Sequence, residues 1–408
     1  MPMAQVSKIR YFHWRGVNQA GKKVSGITLG FQERDVRTML GEQMIQVKKI
    51  KRHKPSTLSK LKNQLKPADV TAITRQLATM IASGVPVVQA LKMMANSHNK
   101  AEGRAVLAQV TTQIEAGASL SRALKTSSPL FDNFYCDLVL TGEQTGHLPE
   151  VFDRIATYRE KNESTRKKVI KAMIYPSMVT LTSIGVTIMM LVFVIPQFAS
   201  IFSNFGAELP WFTQQVIKAS DFMLGYGIYL AIGLLTFLFL FIFRYQRSRR
   251  FKLAIHRLNL KLPIVGNVLL KATVARFSRT LATTFSAGIP LLSGLQSAGK
   301  TAGNKYIEQA IEEAHSSTAA GMPLHIALRQ SDVFPELMLQ MTMIGEESGS
   351  LDDMLNKMAA LYEDDVDNTV DNLGKILEPL IIIFLGGMIG GLLVAMYMPI
   401  FKLMSVMG

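Results

Sequence analysis

Three stretches of this 408-residue chain carry no charged side chain over a membrane-spanning length: Ile174–Ala207, most apolar at Val186–Ile195, then Leu224–Phe243 and Pro379–Phe401. A helix rises about 1.5 Å per residue, so about 20 apolar residues cross a hydrocarbon core of roughly 30 Å. Inside lipid the backbone must satisfy its own hydrogen bonds, which makes each stretch a helix. None lies at the N-terminus. Met1–Arg15 is mixed and basic with no apolar run, so no cleaved signal peptide is expected.

Charge sets the orientation. Arg159, Lys161, Arg166, Lys167, Lys168 and Lys171 precede the first stretch, and Arg244, Arg247, Arg249, Arg250 and Lys252 follow the second. The connection between them, 197–223, holds only Glu208, Lys218 and Asp221. Basic residues stay on the cytoplasmic side, which predicts a cytoplasmic N-terminus, three spans and a periplasmic C-terminus. Much of the formal charge of +15 sits at the start, where Met1–Lys66 has 15 Lys and Arg against Glu33, Asp35 and Glu42. Such a segment suits a solvated face beside an anionic leaflet of the lipid bilayer. No nucleic-acid motif accompanies it, so no nucleic-acid partner is expected.

The cytoplasmic sequence is duplicated. Arg75-Gln-Leu-Ala-Thr-Met-Ile-Ala-Ser-Gly84-Val-Pro86 returns 204 positions later as Arg279-Thr-Leu-Ala-Thr-Thr-Phe-Ser-Ala-Gly288-Ile-Pro290. Gly117-Ala-Ser-Leu120 aligns with Gly321-Met-Pro-Leu324, and Gly142-Glu143-Gln-Thr-Gly146 with Gly345-Glu346-Glu-Ser-Gly349. The repeat continues into the apolar stretches, pairing Pro176 with Pro379 and Pro196 with Pro399. The second stretch has no counterpart.

Apolar residues recur at three- and four-residue spacing, as in Val70, Ile73, Leu77, Met80 and again in Phe277, Leu281, Phe285. Gly-x-Pro at Gly84–Pro86 and Gly288–Pro290 predicts a helix end followed at once by a helix start. The fold class is therefore an all-α membrane protein: two homologous cytoplasmic bundles of about six helices each, three transmembrane helices and a small basic N-terminal element. Val24–Leu29 is β-prone within that element, and Lys51–Lys66 reads as a basic linker. The expected divisions are 1–66, the first bundle at 67–173, spans at 174–196, 224–243 and 377–401, a periplasmic connection at 197–223, and the second bundle at 244–376.

Chemistry-bearing motifs are few. Gly294-Leu-Gln-Ser-Ala-Gly299-Lys300-Thr301 fits the P-loop pattern, but a working P-loop follows a buried strand, and here a helix start precedes it. The equivalent stretch of the first copy, Ala90–Ser97, is helical and lacks the glycines. Gly142-Glu143-x-x-Gly146 and Gly345-Glu346-x-x-Gly349 admit two readings. In the structural one, glycine ends a helix and the glutamate caps or pairs within the bundle, the common use of glycine at that position. In the other, the glutamate is a surface acid that contacts a partner or a divalent cation.

Glu163, Glu363, Asp364, Asp365, Asp367 and Asp371 lie near the membrane-proximal ends, with Asp364, Asp367 and Asp371 on one helix face. A carboxylate face can offer oxygen ligands to Ca²⁺, but no loop of alternating Asp, Asn and Gly is present, so metal binding stays open. Gly386, Gly387, Gly390 and Gly391 form two overlapping Gly-x-x-x-Gly frames that suit close helix packing or self-association. Pro176, Pro196, Pro379 and Pro399 bracket the two equivalent spans, as kinks, span ends or sites that accommodate a moving partner. Cys136, the one cysteine, reads as a small core residue. The seven histidines are scattered, and no nucleophile–base set, catalytic residue or cofactor site is expected.

The two-copy arrangement, with Ala82-Ser-Gly-Val-Pro86, Gly142-Glu-Gln-Thr-Gly146 and the paired spans, resembles the type II secretion F family from about Pro67 to Phe401. Phe12-His-Trp14-Arg-Gly16 and Gly21-Lys-Lys-Val-Ser-Gly26 resemble the N-terminal segment of its pilus branch. The resemblance implies a non-enzymatic, homo-oligomeric platform in the bacterial inner membrane that serves type IV pilus assembly. Its implied partners are hexameric extension and retraction ATPases, pilins and proteins of the inner-membrane alignment complex. It carries the Gly-Glu-x-x-Gly residues over as structural or docking positions. A type II secretion platform is the alternative within the family. A transporter would need more spans and intramembrane ionisable groups.

Overall fold

The computed structural model describes residues 10–407 other than 20, 43, 54–62, 198, 199, 201–209 and 264. The chain forms two compact units. The first gathers Met1–Ser164, Val274–Gly303 and Ile307–Ala360, and the second Thr165–Thr273, Asn304–Tyr306 and Leu361–Gly408.

The N-terminal element is a three-stranded antiparallel sheet. Strands β1 (Arg10–Val17), β2 (Lys23–Gly30) and β3 (Gln46–His53) lie in the order β2-β1-β3, and helix α1 (Glu33–Glu42) links β2 to β3. Val36 and Leu40 of α1 cover Phe12 and Trp14 of β1. The Trp14 indole donates to Thr28 Oγ1 at 2.9 Å. A bulge between Arg15 and Gly16 brings the Gln46 carbonyl to 2.6 Å from where a Cβ on Gly16 would stand. The bundles and spans are helical as expected, and this separate small element is a sheet whose β2 contains the β-prone Val24–Leu29. Lys51, Arg52 and His53 belong to β3 rather than to a linker; Lys54–Lys62 lie outside the described residues.

The first bundle has six helices: α2 (Pro67–Ala82), α3 (Val87–Ser97), α4 (Ala101–Glu115), α5 (Leu120–Ser127), α6 (Asn133–Thr145) and α7 (Leu148–Met189). Pro67 opens α2, where its missing N–H costs nothing, and Asp69 accepts the Lys66 amide at 2.7 Å. Asp132 caps α6 by accepting the Tyr135 amide at 2.8 Å. The second bundle repeats the plan in α10 (Val265–Ser286), α11 (Leu291–Thr301), α12 (Lys305–Ala319), α13 (Leu324–Arg329), α14 (Glu336–Ser348) and α15 (Leu351–Met407). Between the bundles run α8 (Trp211–Arg247) and α9 (Arg249–Lys261).

The cores are built from equivalent positions. Leu77, Leu91, Leu124 and Phe152 in the first copy match Leu281, Leu295, Leu328 and Leu355 in the second, all fully buried. At both Gly-x-Pro sites a helix ends and another starts immediately after the proline, as the sequence predicts. The buried Tyr135 hydroxyl pairs with Thr74 Oγ1 at 3.1 Å, and Cys136 is buried in the same core. Burial pushes the Cys136 thiol up to about 12.

Among the described residues three helices are long and apolar enough to cross a membrane: Leu148–Gln197, Trp211–Arg247 and a span at Glu378–Met398 within α15. Helices α7 and α15 each run unbroken from a bundle into an apolar span. Of the connection after the first span, 198, 199 and 201–209, including Glu208, lie outside the described residues.

Candidate functional site

The repeated Gly-Glu-x-x-Gly sequence closes the same joint twice. Glu143, in the last turn of α6, accepts the amides of Leu120 at 2.5 Å and Ser121 at 3.1 Å, the first two residues of α5. Glu346 in α14 accepts the amides of Leu324 at 2.6 Å and His325 at 3.0 Å, the first two of α13. A helix leaves its first amides without partners and carries partial positive charge there, so a carboxylate serves as both acceptor and counter-charge. This is the capping geometry, with each glutamate turned inward onto a neighbouring helix.

The glycines have separate duties. Gly146 and Gly349 adopt left-handed conformations, φ 77° and 70°, that end α6 and α14 and turn the chain into α7 and α15. Gly142 and Gly345 are contact points. A Cβ on Gly142 would stand 3.1 Å from Val151 Cγ2, and one on Gly345 2.9 Å from the Leu351 Cα. The motif thus packs the fifth helix against the sixth and caps the fourth.

An arginine ties the first helix of each bundle to the last, as a fork in the first bundle. Arg75 donates through Nε to Glu160 at 2.7 Å, through Nη1 to Asp153 at 2.5 Å and through Nη2 to Thr157 at 3.0 Å. The Arg75 hydrogen bond holds the Glu160 carboxyl below its ordinary value. At the equivalent place Arg279 Nη1 donates to Asn356 Oδ1 at 2.8 Å. The bundles meet through hydroxyls: Thr280 lies 3.1 Å from the Tyr158 hydroxyl, and Ser297 lies 3.4 Å from Asp137 Oδ2.

The P-loop look-alike occupies helix α11. Its glycines are packing sites, since a Cβ on Gly294 would stand 2.6 Å from Thr284 Oγ1 and one on Gly299 3.1 Å from Ile311 Cγ2. The element before it, α10, is a helix, so the strand–loop–helix setting of a phosphate cradle is missing. Of the acidic cluster, Asp367 pairs with Lys168 at 2.5 Å and Asp365 with Lys271 at 2.8 Å. Among the described residues no group of three or more His, Cys, Asp or Glu is placed to hold a metal ion.

The prolines and small residues of the apolar helices lie in the second unit. Pro176 lies inside α7, Pro196 just after a π-helical turn at Met190–Val194, and Pro379 and Pro399 inside α15. Gly386, Gly387 and Gly390 face open space, while the Phe212 ring lies 3.6 Å from where a Cβ on Gly391 would stand. Thr187 Oγ1 is 3.1 Å from the Met388 sulfur, joining α7 to α15. Thr213 and Ser220 of α8 are buried here. Neither stands out in the sequence, because a lone hydroxyl in an apolar helix is common.

Duplicated helical bundles, each continued by a proline-containing apolar helix, define a multi-pass membrane protein built on a repeat. The model of the family described as type II secretion system protein F matches residues 73–196 and 277–399, one match per repeat. The chain belongs to that family. It is 45% identical over 401 residues to the type IV pilus assembly protein TapC of Aeromonas hydrophila, covering 98% of this chain and 97% of that protein. It is 42% identical over 373 residues to the type IV pilus assembly protein PilC of Pseudomonas aeruginosa, covering 91% and 100%. Against the type II secretion system protein F of Vibrio cholerae the identity is 31% over 402 residues, covering 97% and 99%.

Proposed function

We propose that this chain is the inner-membrane platform of a type IV pilus assembly machine. The observation that carries this reading is the gap between 45% and 42% identity to pilus assembly proteins and 31% to a secretion protein F, all over nearly the whole chain. On this reading the bundles at 67–173 and 244–376 lie in the cytoplasm and receive hexameric extension and retraction ATPases. The spans meet pilins and the inner-membrane alignment proteins, and the platform works as a homo-oligomer. The N-terminus is cytoplasmic and the C-terminus periplasmic, in keeping with the basic flanks of the first two spans. The chain performs no catalysis; it converts ATPase motion into insertion and removal of pilins. The glutamates of the two Gly-Glu-x-x-Gly motifs act by fixing bundle shape rather than by direct docking.

The test is surface piliation, by electron microscopy and by immunoblot of sheared pilin, in a strain lacking this gene and in its complemented derivative. Loss of pili with pilin retained in the membrane is expected. Normal pili with reduced protein export would overturn the pilus reading in favour of a secretion platform.

A further inference from the structure

Proline has no backbone N–H, so in a helix it leaves a carbonyl one turn earlier without its donor. In an α-helix Pro399 would have served Ala395, four residues before it. The Ala395 carbonyl instead accepts the hydroxyl of Thr213, at 2.8 Å. At the equivalent end of the other repeat the helix is π-wound, with the Ile195 amide donating to Met190, five residues before it. In that register the next donor would be Pro196 and its acceptor Leu191. The Leu191 carbonyl instead accepts the hydroxyl of Ser220.

Both hydroxyls belong to α8, the span with no counterpart in the duplication. They are seven residues apart and so share one helix face. Both are buried, as are Ile195, Leu392 and Ala395 around them, in helices otherwise largely exposed. One turn before Ala395 the Phe212 ring lies over Gly391, 3.6 Å from where a Cβ would stand, an ordinary contact distance.

We propose that Thr213 and Ser220 are positioning residues, and that α8 is a shared clasp holding both repeated spans in one arrangement by supplying the donors their prolines lack. An ordinary residue at 196 or 399 would carry its donor within the same helix wherever α8 went. A hydroxyl on a neighbour is present only while that neighbour is seated. A buried carbonyl left without a donor is costly, so unseating α8 destabilises both spans at once. The two repeats are thereby coupled through a helix that belongs to neither.

The test is a double-mutant cycle on the full chain in nanodiscs, read by thermal unfolding. Thr213→Val keeps the shape and removes the donor, and should lower the melting temperature by about 3–6 °C. Thr213→Ser keeps the donor and should melt within a degree or so of the parent. In a Pro399→Ala background, where residue 399 brings its own N–H, Thr213→Val should lose most of its effect. Ser220→Ala with Pro196→Ala should behave alike. An unchanged melt for Thr213→Val, or a loss equally large with and without Pro399, would overturn the proposal. These melts do not depend on what the protein assembles, so they stay decisive if the pilus reading fails.

Discussion

His325 Nδ1 lies 2.6 Å from the Glu346 carboxylate that also receives its own backbone amide. In the first bundle the matching residue is Ser121, whose amide reaches Glu143 while its hydroxyl turns to Ser119. The shared joint is therefore the glutamate on two backbone amides, and the imidazole is an addition of the second copy.

Alanine at either glutamate strands two amides. Charge-assisted hydrogen bonds contribute about 1.5–3 kcal/mol, so Glu143→Ala and Glu346→Ala should each destabilise by about that much, the second more because it also frees His325. Chemical denaturation of the full chain in detergent measures this. Loss of pili with undiminished stability would instead make the glutamates docking residues.

Gly345→Ala should cost more than Gly142→Ala. The new methyl meets backbone at 2.9 Å in the second bundle but the movable side chains of Val151 and Leu148 in the first. Overpacking of this kind costs about 1–3 kcal/mol, and melting temperatures of the two variants give the order.

Cys136 should resist alkylation. Its thiol is buried and pushed up to about 12, so little thiolate exists near neutral pH. Maleimide labelling at pH 7.5 should be at least about a hundredfold slower than in unfolded chain, because the thiolate is the reacting form. Equal rates would mean that this core opens readily.

Asp137 lies half-buried between the bundles, and burial raises its carboxyl above the ordinary 3.8. A raised folded-state value means the protonated form is the better fitted one. The group's contribution is then most favourable below about pH 4 and is lost as pH rises through the raised value. Asp137→Asn should raise the melting temperature at pH 7, with the gain shrinking toward pH 4. A loss of stability at pH 7 would contradict this.

Lys300→Ala should leave surface piliation unchanged, since Lys300 sits on a packed helix rather than on a phosphate loop. Loss of nucleotide affinity on this change would restore the P-loop reading.

Much of this architecture is legible in the sequence because it is written twice. The Gly-x-Pro breaks, the left-handed Gly146 and Gly349 and the six-helix plan each appear at two positions, under an offset of 204 that falls to 203 by the second motif. The sheet is harder to see. Lys48, Lys49, Lys51 and Arg52 crowd β3, and with Val47 and Ile50 alone against the core its alternation is faint. Spacing does not settle the role of Glu143, since its partners lie 22 and 23 residues back, at the far end of the preceding helix and across a loop. Thr213 and Ser220 escape notice for the same reason: their acceptors are backbone carbonyls 182 and 29 residues away, and nothing local marks a hydroxyl as the stand-in for a distant proline.

Helix α15 passes from Leu351 in the second bundle through its apolar span without an intervening loop, and α7 does the same from Leu148. In a helix without a break, one residue inserted or deleted turns every side-chain position beyond it by about 100° around the axis. The face that each span presents is therefore counted out residue by residue from Leu148 or Leu351, which a loop would not require.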